Sequence, residues 1–315
     1  MMNKIIEKIK SPASLSERVL WKLYFYNIDR LMDRYYRNDP VKRDAVILAS
    51  SGRAGNTFFR FVWLNIISLK ELGGREVDFE MLYDCLPFDA YFSDFKKEWK
   101  FKSLPCLIKT HCPYSNRYKN FRAVHFFRNP LDNMVSFYEY LSKRKEGPQN
   151  KDFSWIEKEI FNRPNINFKG TFREFIEKDI DRYCKYFLSW MRAGAVPASY
   201  EFLVSEDSFK YFDQIFKRLG INVEEEILRK AIERSGKEKL KNKPQCERMA
   251  QLDGIHFIRN GSVGQWKNYF SDDDLRFLFR RLSFHGLSDI NSVPDQYRAL
   301  LANWPIADAP VLRRI

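Results

Sequence analysis

Apolar and polar positions alternate along this chain with two different periods. Three short runs, Ala45 to Ser51, Cys106 to His111 and Ala123 to Arg128, read as strands, and each ends in polar residues. After the first run Phe58, Val62, Ile66 and Leu69 fall at i, i+4, i+8 and i+11, the spacing of a helix with one apolar face. Short apolar runs separated by helical stretches predict a parallel sheet with crossover helices, an α/β architecture in one domain. In such sheets ligands sit beyond the carboxyl ends of the strands, where these runs place their polar residues.

Further elements follow from the same pattern. A helix is predicted after Arg128, with Asn129 as N-cap and Pro130 at the first helical position, where a missing N–H costs nothing. Ser142 to Gly170 is polar and broken by Pro148 and Pro164, an excursion over the site that could serve as a lid. Phe172 to Trp190 is helical, "PASYEF" is a candidate fourth strand, and Glu206 to Lys241 is mostly amphipathic helix. Residues 14 to 36 open with the capping box of Ser14 and Glu17. They predict a helix packed on the domain, with peripheral membrane contact as the alternative. The expected division is an N-terminal helical segment over 1–43, the main domain over 44–290 and a tail packed on it over 291–315.

Composition narrows the function. The 315 residues carry a formal net charge of +13, which draws anions, whether nucleic acid, a membrane surface or phosphorylated small molecules. The five cysteines are odd in number and lack any CxxC spacing, so neither a disulfide framework nor a zinc site is suggested. No apolar run approaches the roughly 18 residues of a membrane span. A soluble protein of the reducing cytoplasm is expected.

Four stretches carry chemistry. In "ILASSGRAGNTFFRF" a strand runs through a glycine-containing turn into a helix, leaving unpaired N–H groups at the positive end of the helix dipole, a seat for an anion. Gly52 and Gly55 are expected to let the backbone turn, Arg53 adds a forked cation, and Asn56 and Thr57 can donate. The stretch is not G-x-x-x-x-G-K-[ST], because Asn56 stands where that pattern has lysine. "LIKTHCP" supplies Lys109, Thr110 and His111 at a strand end, a cation beside a group that titrates near neutrality. "HFFRNPLDNMVSFYEY" ends a strand at Arg128 and places Ser136 two turns into the next helix; His125 in it reads as a core residue. "FIRNGSVGQWKNYFSDDD" brings Arg259, Gly261, Gly264, Trp266 and Lys267 together, and Ser271 with three aspartates reads as the cap and first turn of a helix.

Taken together these stretches resemble the sulfotransferases that use 3′-phosphoadenosine 5′-phosphosulfate (PAPS), of the cytosolic type. "GRAGNTF" is similar to that family's phosphosulfate loop, and Lys109 to His111 matches its Lys-Thr-His unchanged. Arg128-Asn-Pro with Ser136 is similar to its 3′-phosphate segment, and "RNGSVGQWKNYF" to its closing motif. The resemblance spans residues 45 to 271 and implies a phosphate-loop-like sulfotransferase fold.

By that resemblance the backbone of Arg53, Ala54, Gly55, Asn56 and Thr57, with the side chains of Arg53 and Thr57, holds the 5′-phosphosulfate. Arg128, Ser136, Arg259, Asn260 and Gly261 hold the 3′-phosphate, and Phe58, Tyr200 and Phe257 meet the adenine. His111 takes the acceptor proton while Lys109 and Arg53 neutralise charge on the transferring group, with PAP as product and no metal needed. Several positions depart from the family pattern: Arg53 and Asn260 stand for lysines, Ala54 lacks a hydroxyl, and the family's Thr-Ser-Phe is met only by Arg234-Ser235-Gly236. The family's dimer pattern, which would fall at Lys267, Ser271-Asp272 and Arg276, is not kept, so that dimer is not expected. Two rivals are a small-molecule kinase, which lacks its γ-phosphate lysine, and a non-catalytic nucleotide or anion binder; no nucleic-acid-reading motif is present. The acceptor is expected to be a small-molecule or saccharide hydroxyl or amine. Its pocket is placed in Glu80 to Phe95, whose aromatics are Tyr83, Phe88, Tyr91 and Phe92, in Ser142 to Gly170, and after Met249.

Overall fold

A computed structural model describes residues 29–30, 32–39, 42–89, 97–143, 168–243, 261–289, 293–301 and 304. Four parallel strands, β1 Val46–Ser50, β2 Leu107–Thr110, β3 Arg122–Phe127 and β4 Val196–Ser199, form one sheet in the order β2-β1-β3-β4. All five residues of the central β1 are buried, as a continuous apolar run requires when a strand is covered on both faces. The register pairs Ala49 with Thr110, Ser50 with Phe126 and Phe127 with Ser199, so the strands end side by side. Ser51, His111 and Arg128 each follow the last residue of a strand and stand along one edge of the sheet.

The helices are α1 Asn56–Glu71, α2 Phe79–Cys85, α3 Pro130–Lys143, α4 Phe172–Arg192, α5 Tyr200–Leu203, α6 Ser208–Arg218, α7 Glu225–Arg234, α8 Lys237–Lys241, α9 Asp272–Phe284 and α10 Asp295–Leu301. One apolar cluster joins α1, α6 and α7 to the strands through Phe59, Trp63, Phe212, Phe216 and Leu228. A second gathers Phe127 with α3, α4, α9 and α10. Helix boundaries follow local chemistry. The Asn129 side chain accepts from Leu131 N–H at 2.9 Å, the predicted cap, and Ser271 and Asp274 form a capping box on α9. Thr171 and Glu174 form another on α4.

The fourth strand is shorter than "PASYEF" suggests. It stops at Ser199, and Tyr200–Leu203 coils into one helical turn. Glu201 draws the chain out of extended geometry by accepting from Ser199 Oγ at 2.6 Å and from Asn129 N–H at 2.8 Å. The stretch from Glu206 to Lys241 is three helices, parted at Gly220, whose φ is 68°, and at Ser235-Gly236. His125 is a core residue as expected: fully buried, its Nδ1 lies 3.0 Å from Tyr297 Oη, and burial pushes its pKa down to about 3. The N-terminal capping box, most of the lid stretch, Tyr91 and Phe92, and Phe257, Arg259 and Asn260 lie outside the described residues. Among the described residues no helix is long and apolar enough to cross a membrane.

Candidate active site

The anion loop is built between β1 and α1. Gly55 caps α1 with φ of 98°, and the second left-handed position is Arg53, with φ of 62°, rather than Gly52 as the sequence suggested. A non-glycine residue in that region stores strain and is commonly found at functional sites. No side chain caps α1 at Gly55, so the first N–H groups of the helix keep the anion-seeking character of a helix start. Helix α3 braces the loop from beside it. Asn133 Nδ2 donates to the Gly52 carbonyl at 3.0 Å, and the Arg53 guanidinium lies 4.8 Å from the centre of the Tyr140 ring. Ser136 falls between Asn133 and Tyr140 on the same helical face.

His111 is held by the neighbouring strand. Its Nδ1 lies 2.5 Å from the Ser50 carbonyl oxygen and 3.5 Å from Ser50 Oγ. A carbonyl can only accept, so Nδ1 carries a proton, and in the neutral ring the lone pair is then on Nε2, the tautomer a general base needs. Asn56 Nδ2 donates to Ser50 Oγ at 2.8 Å, which ties the anion loop to the histidine through one serine. Lys109 Nζ stands 4.2 Å from the centre of the Phe88 ring, and Phe88 meets His111 edge to face with centroids 5.2 Å apart. This aromatic face beside the Lys109 and His111 side chains suits an apolar or ring-containing molecule.

Tyr200 gathers the other end of the site. Its hydroxyl donates to the Gly261 carbonyl at 2.7 Å, and the Arg128 guanidinium lies over its ring at 4.8 Å. Arg128 Nη2 donates to Ser262 O at 2.6 Å, with Asp132 Oδ2 at 3.8 Å. Arg128 Nε is buried without a hydrogen-bond partner, a cationic donor left over beside the Arg128–Asp132 pair, which fits an anion placed there. Asp132 accepts from the N–H groups of Gly264 and Trp266 at 2.7 and 3.1 Å, docking the closing motif on α3.

Asp132, Asn133, Tyr140 and Ser50 were not singled out from the sequence. The α3 trio could have been found from the helical period, since positions 132–133, 136 and 140 share the face that follows Arg128. Phe58 is partly buried, packs on the core and meets Phe212 edge to face at 5.6 Å. Ser235 is buried, accepts from Asn65 Nδ2 at 3.0 Å and donates to Ala231 O at 2.7 Å, while Arg234 donates to Gly74 O. These bonds place Arg234 and Ser235 in the contact of α7 with α1.

Comparison with known proteins identifies the family. The family model of the sulfotransferase domain matches residues 43–282, and the chain belongs to that family of sulfuryl-transferring enzymes. Rat sulfotransferase 1E1 is 26% identical over 226 residues, 65% of this chain and 68% of that protein. Zebrafish (Danio rerio) cytosolic sulfotransferase 1 is 24% identical over 258 residues, 75% of this chain and 80% of that protein. The crystal structure of mouse sulfotransferase SULT7A1 complexed with PAP superposes with a TM-score of 0.57 at 18% identity, covering 81% of this chain and 87% of that one. That likeness is one of fold.

Proposed function

We propose that the chain transfers the sulfuryl group of PAPS to a hydroxyl or amine of a small-molecule or saccharide acceptor, with His111 as general base. The observation that carries this reading is the hydrogen bond from His111 Nδ1–H to the Ser50 carbonyl, which sets a base with its lone pair on Nε2 at the mouth of an anion loop. The donor would supply an activated sulfuryl group, held at its 5′ end by the backbone of Arg53 to Thr57 and by the Arg53 and Thr57 side chains. Arg128, Ser136, Arg259, Asn260 and Gly261 would receive the 3′-phosphate, and Phe58, Tyr200 and Phe257 the adenine. The unpartnered Nε of Arg128 and the left-handed loop at Arg53 and Gly55 support that fit.

Each residue then has a defined task. His111 takes the acceptor proton as the new bond to sulfur forms, a role typically worth about 10²–10⁴-fold. Lys109 and Arg53 offset negative charge that builds on the transferring group and the leaving phosphate, so that most of the rate comes from placement and electrostatics. Phe88 walls the acceptor side, and Tyr83, an exposed aromatic of α2, stands in the same predicted acceptor stretch. A cytoplasmic location belongs to this reading and is supported by the name of the zebrafish relative.

Calorimetric titration with PAP tests the donor assignment. Wild-type protein should bind PAP more tightly than adenosine 5′-monophosphate, and Arg128→Met should abolish that preference, weakening PAP by at least about tenfold for the loss of roughly one charge-assisted contact. Equal affinity for the two nucleotides in the wild type would overturn the assignment.

A further inference from the structure

The strand end that carries Lys109 and His111 has a second face. Side chains alternate along a strand, so Lys109 and His111 share the side of Phe88 while Thr110 points the opposite way. There Thr110 Oγ1 lies 3.0 Å from Tyr118 Oη, and Tyr118 Oη donates to Asp89 Oδ2 at 2.5 Å. Thr110 Oγ1 also accepts the N–H of Cys112 at 3.0 Å. With the Tyr118 hydrogen committed to Asp89, Thr110 must donate to Tyr118. The chain therefore runs in one direction, from Cys112 N–H through Thr110 and Tyr118 to the carboxylate, and aligned hydrogen bonds of this kind strengthen one another.

Asp89 grips the same strand through its backbone. Its N–H donates to the Lys109 carbonyl at 3.0 Å, and the Lys109 N–H donates to Pro87 O at 2.9 Å. This single parallel bridge between Phe88 and Lys109 covers the outer side of β2, the end strand of the described sheet. Asp89 and Tyr118 are 2% and 1% exposed, and Tyr118 is packed by Tyr114 and Trp190. Asp89 Oδ1 has no hydrogen-bond partner. A half-satisfied buried carboxylate costs stability, and this one ends a hydrogen-bonded chain that starts at Cys112 and Thr110, the residues on either side of the proposed base.

We propose that Asp89 is a positioning residue for the reaction: through Tyr118 and Thr110 behind the strand and its own N–H at the edge, it holds Lys109 and His111 in register with the Ser50 carbonyl. The inference rests on the reading of His111 as the base. Loss of the carboxylate removes the acceptor that ends the chain, so Thr110 and the peptides on either side of it lose their anchor. Misplacement of about 1 Å at a reacting group can cost on the order of 10²-fold in rate.

The test reads His111 directly and needs no acceptor. Histidines are labelled with ¹⁵N, the His111 resonances are assigned by their loss in His111→Gln, and spectra are taken well above the ordinary imidazole pKa. Wild-type protein should show His111 as a single Nδ1–H tautomer. Asp89→Leu and Tyr118→Phe should each give averaged tautomer signals for His111 with His125 and His285 unmoved, and Asp89→Asn, whose amide oxygen can still accept from Tyr118, should restore the wild-type pattern. An unchanged His111 signal in Tyr118→Phe, and in Asp89→Leu where that variant folds, would overturn the proposal; if Asp89→Leu does not fold, Tyr118→Phe decides alone. PAP titration of the same samples separates the two readings: a wild type that fails to bind PAP sinks the donor assignment, whereas the histidine spectrum judges the clamp.

Discussion

Alanine at Gly55 probes the meeting of the anion loop with the Tyr200 segment. Gly55 holds a φ of 98°, and a Cβ built there would stand 2.5 and 2.6 Å from two ring carbons of Tyr200. Carbon atoms ordinarily approach to about 3.5–4.0 Å, so the ring must retreat by about 1 Å. It is poorly placed to do so. Tyr200 is 8% exposed, its hydroxyl is bonded to Gly261 O, and Arg128 covers its face. Left-handed strain of about 1–2 kcal/mol adds to an overpacking cost of about 1–3 kcal/mol. The expected loss in unfolding free energy is about 2–5 kcal/mol. Urea unfolding of Gly55→Ala, Tyr200→Ala and the double variant isolates the contact. With the ring removed, Gly55→Ala should cost about 1–3 kcal/mol less than it does in the wild type. Additivity of the two substitutions within about 0.5 kcal/mol would refute the close approach.

Two further predictions concern the loop and the core. Arg53→Gly and Arg53→Ala both remove the guanidinium, yet at a φ of 62° the glycine variant should be the more stable by about 1 kcal/mol; thermal melts that place alanine level with glycine or above it would contradict the strained loop. His125, with its pKa depressed from 6.5 to about 3 by burial, is neutral when folded and takes up a proton on unfolding below pH 6.5. Its contribution is present above that pH and is lost as the pH falls toward 3, at up to about 1.4 kcal/mol per unit. His125→Phe should flatten the fall of stability over that window, and an unaltered slope in denaturant titrations would count against the buried neutral imidazole.

Much of the sheet was legible because its strands are short apolar runs that stop where chemistry begins. Val46–Ser50, Leu107–Thr110 and Arg122–Phe127 each differ from the predicted run by about one residue at an end, since pairing requires a partner and Ser51, His111 and Arg128 have turned out of the ladder. The conversion of Tyr200–Leu203 to a helical turn was hidden, because it depends on Glu201 reaching Asn129, 72 residues away in the chain. For the same reason Asn133 and Asp132 went unnoticed: their partners, Gly52 and the Gly264–Trp266 turn, are distant in sequence. Gly52 and Arg53 show a further limit, since a turn with two glycines did not reveal that the left-handed φ would fall on the arginine. Asp89 carried no signal at all, being one carboxylate in a stretch chosen for its aromatics.

The most direct measurement is transfer of radiolabelled sulfate from PAPS to a panel of phenols, alcohols, amines and glycans, run for the wild type and for His111→Ala. The expected result is a labelled product from at least one acceptor class, formed at least about a hundredfold more slowly by the variant, with PAP affinity alike in the two proteins. Product formed at similar rates by both would remove His111 from the role of base, and a wild type that binds PAP yet labels nothing in any class would contradict the proposed acceptor chemistry.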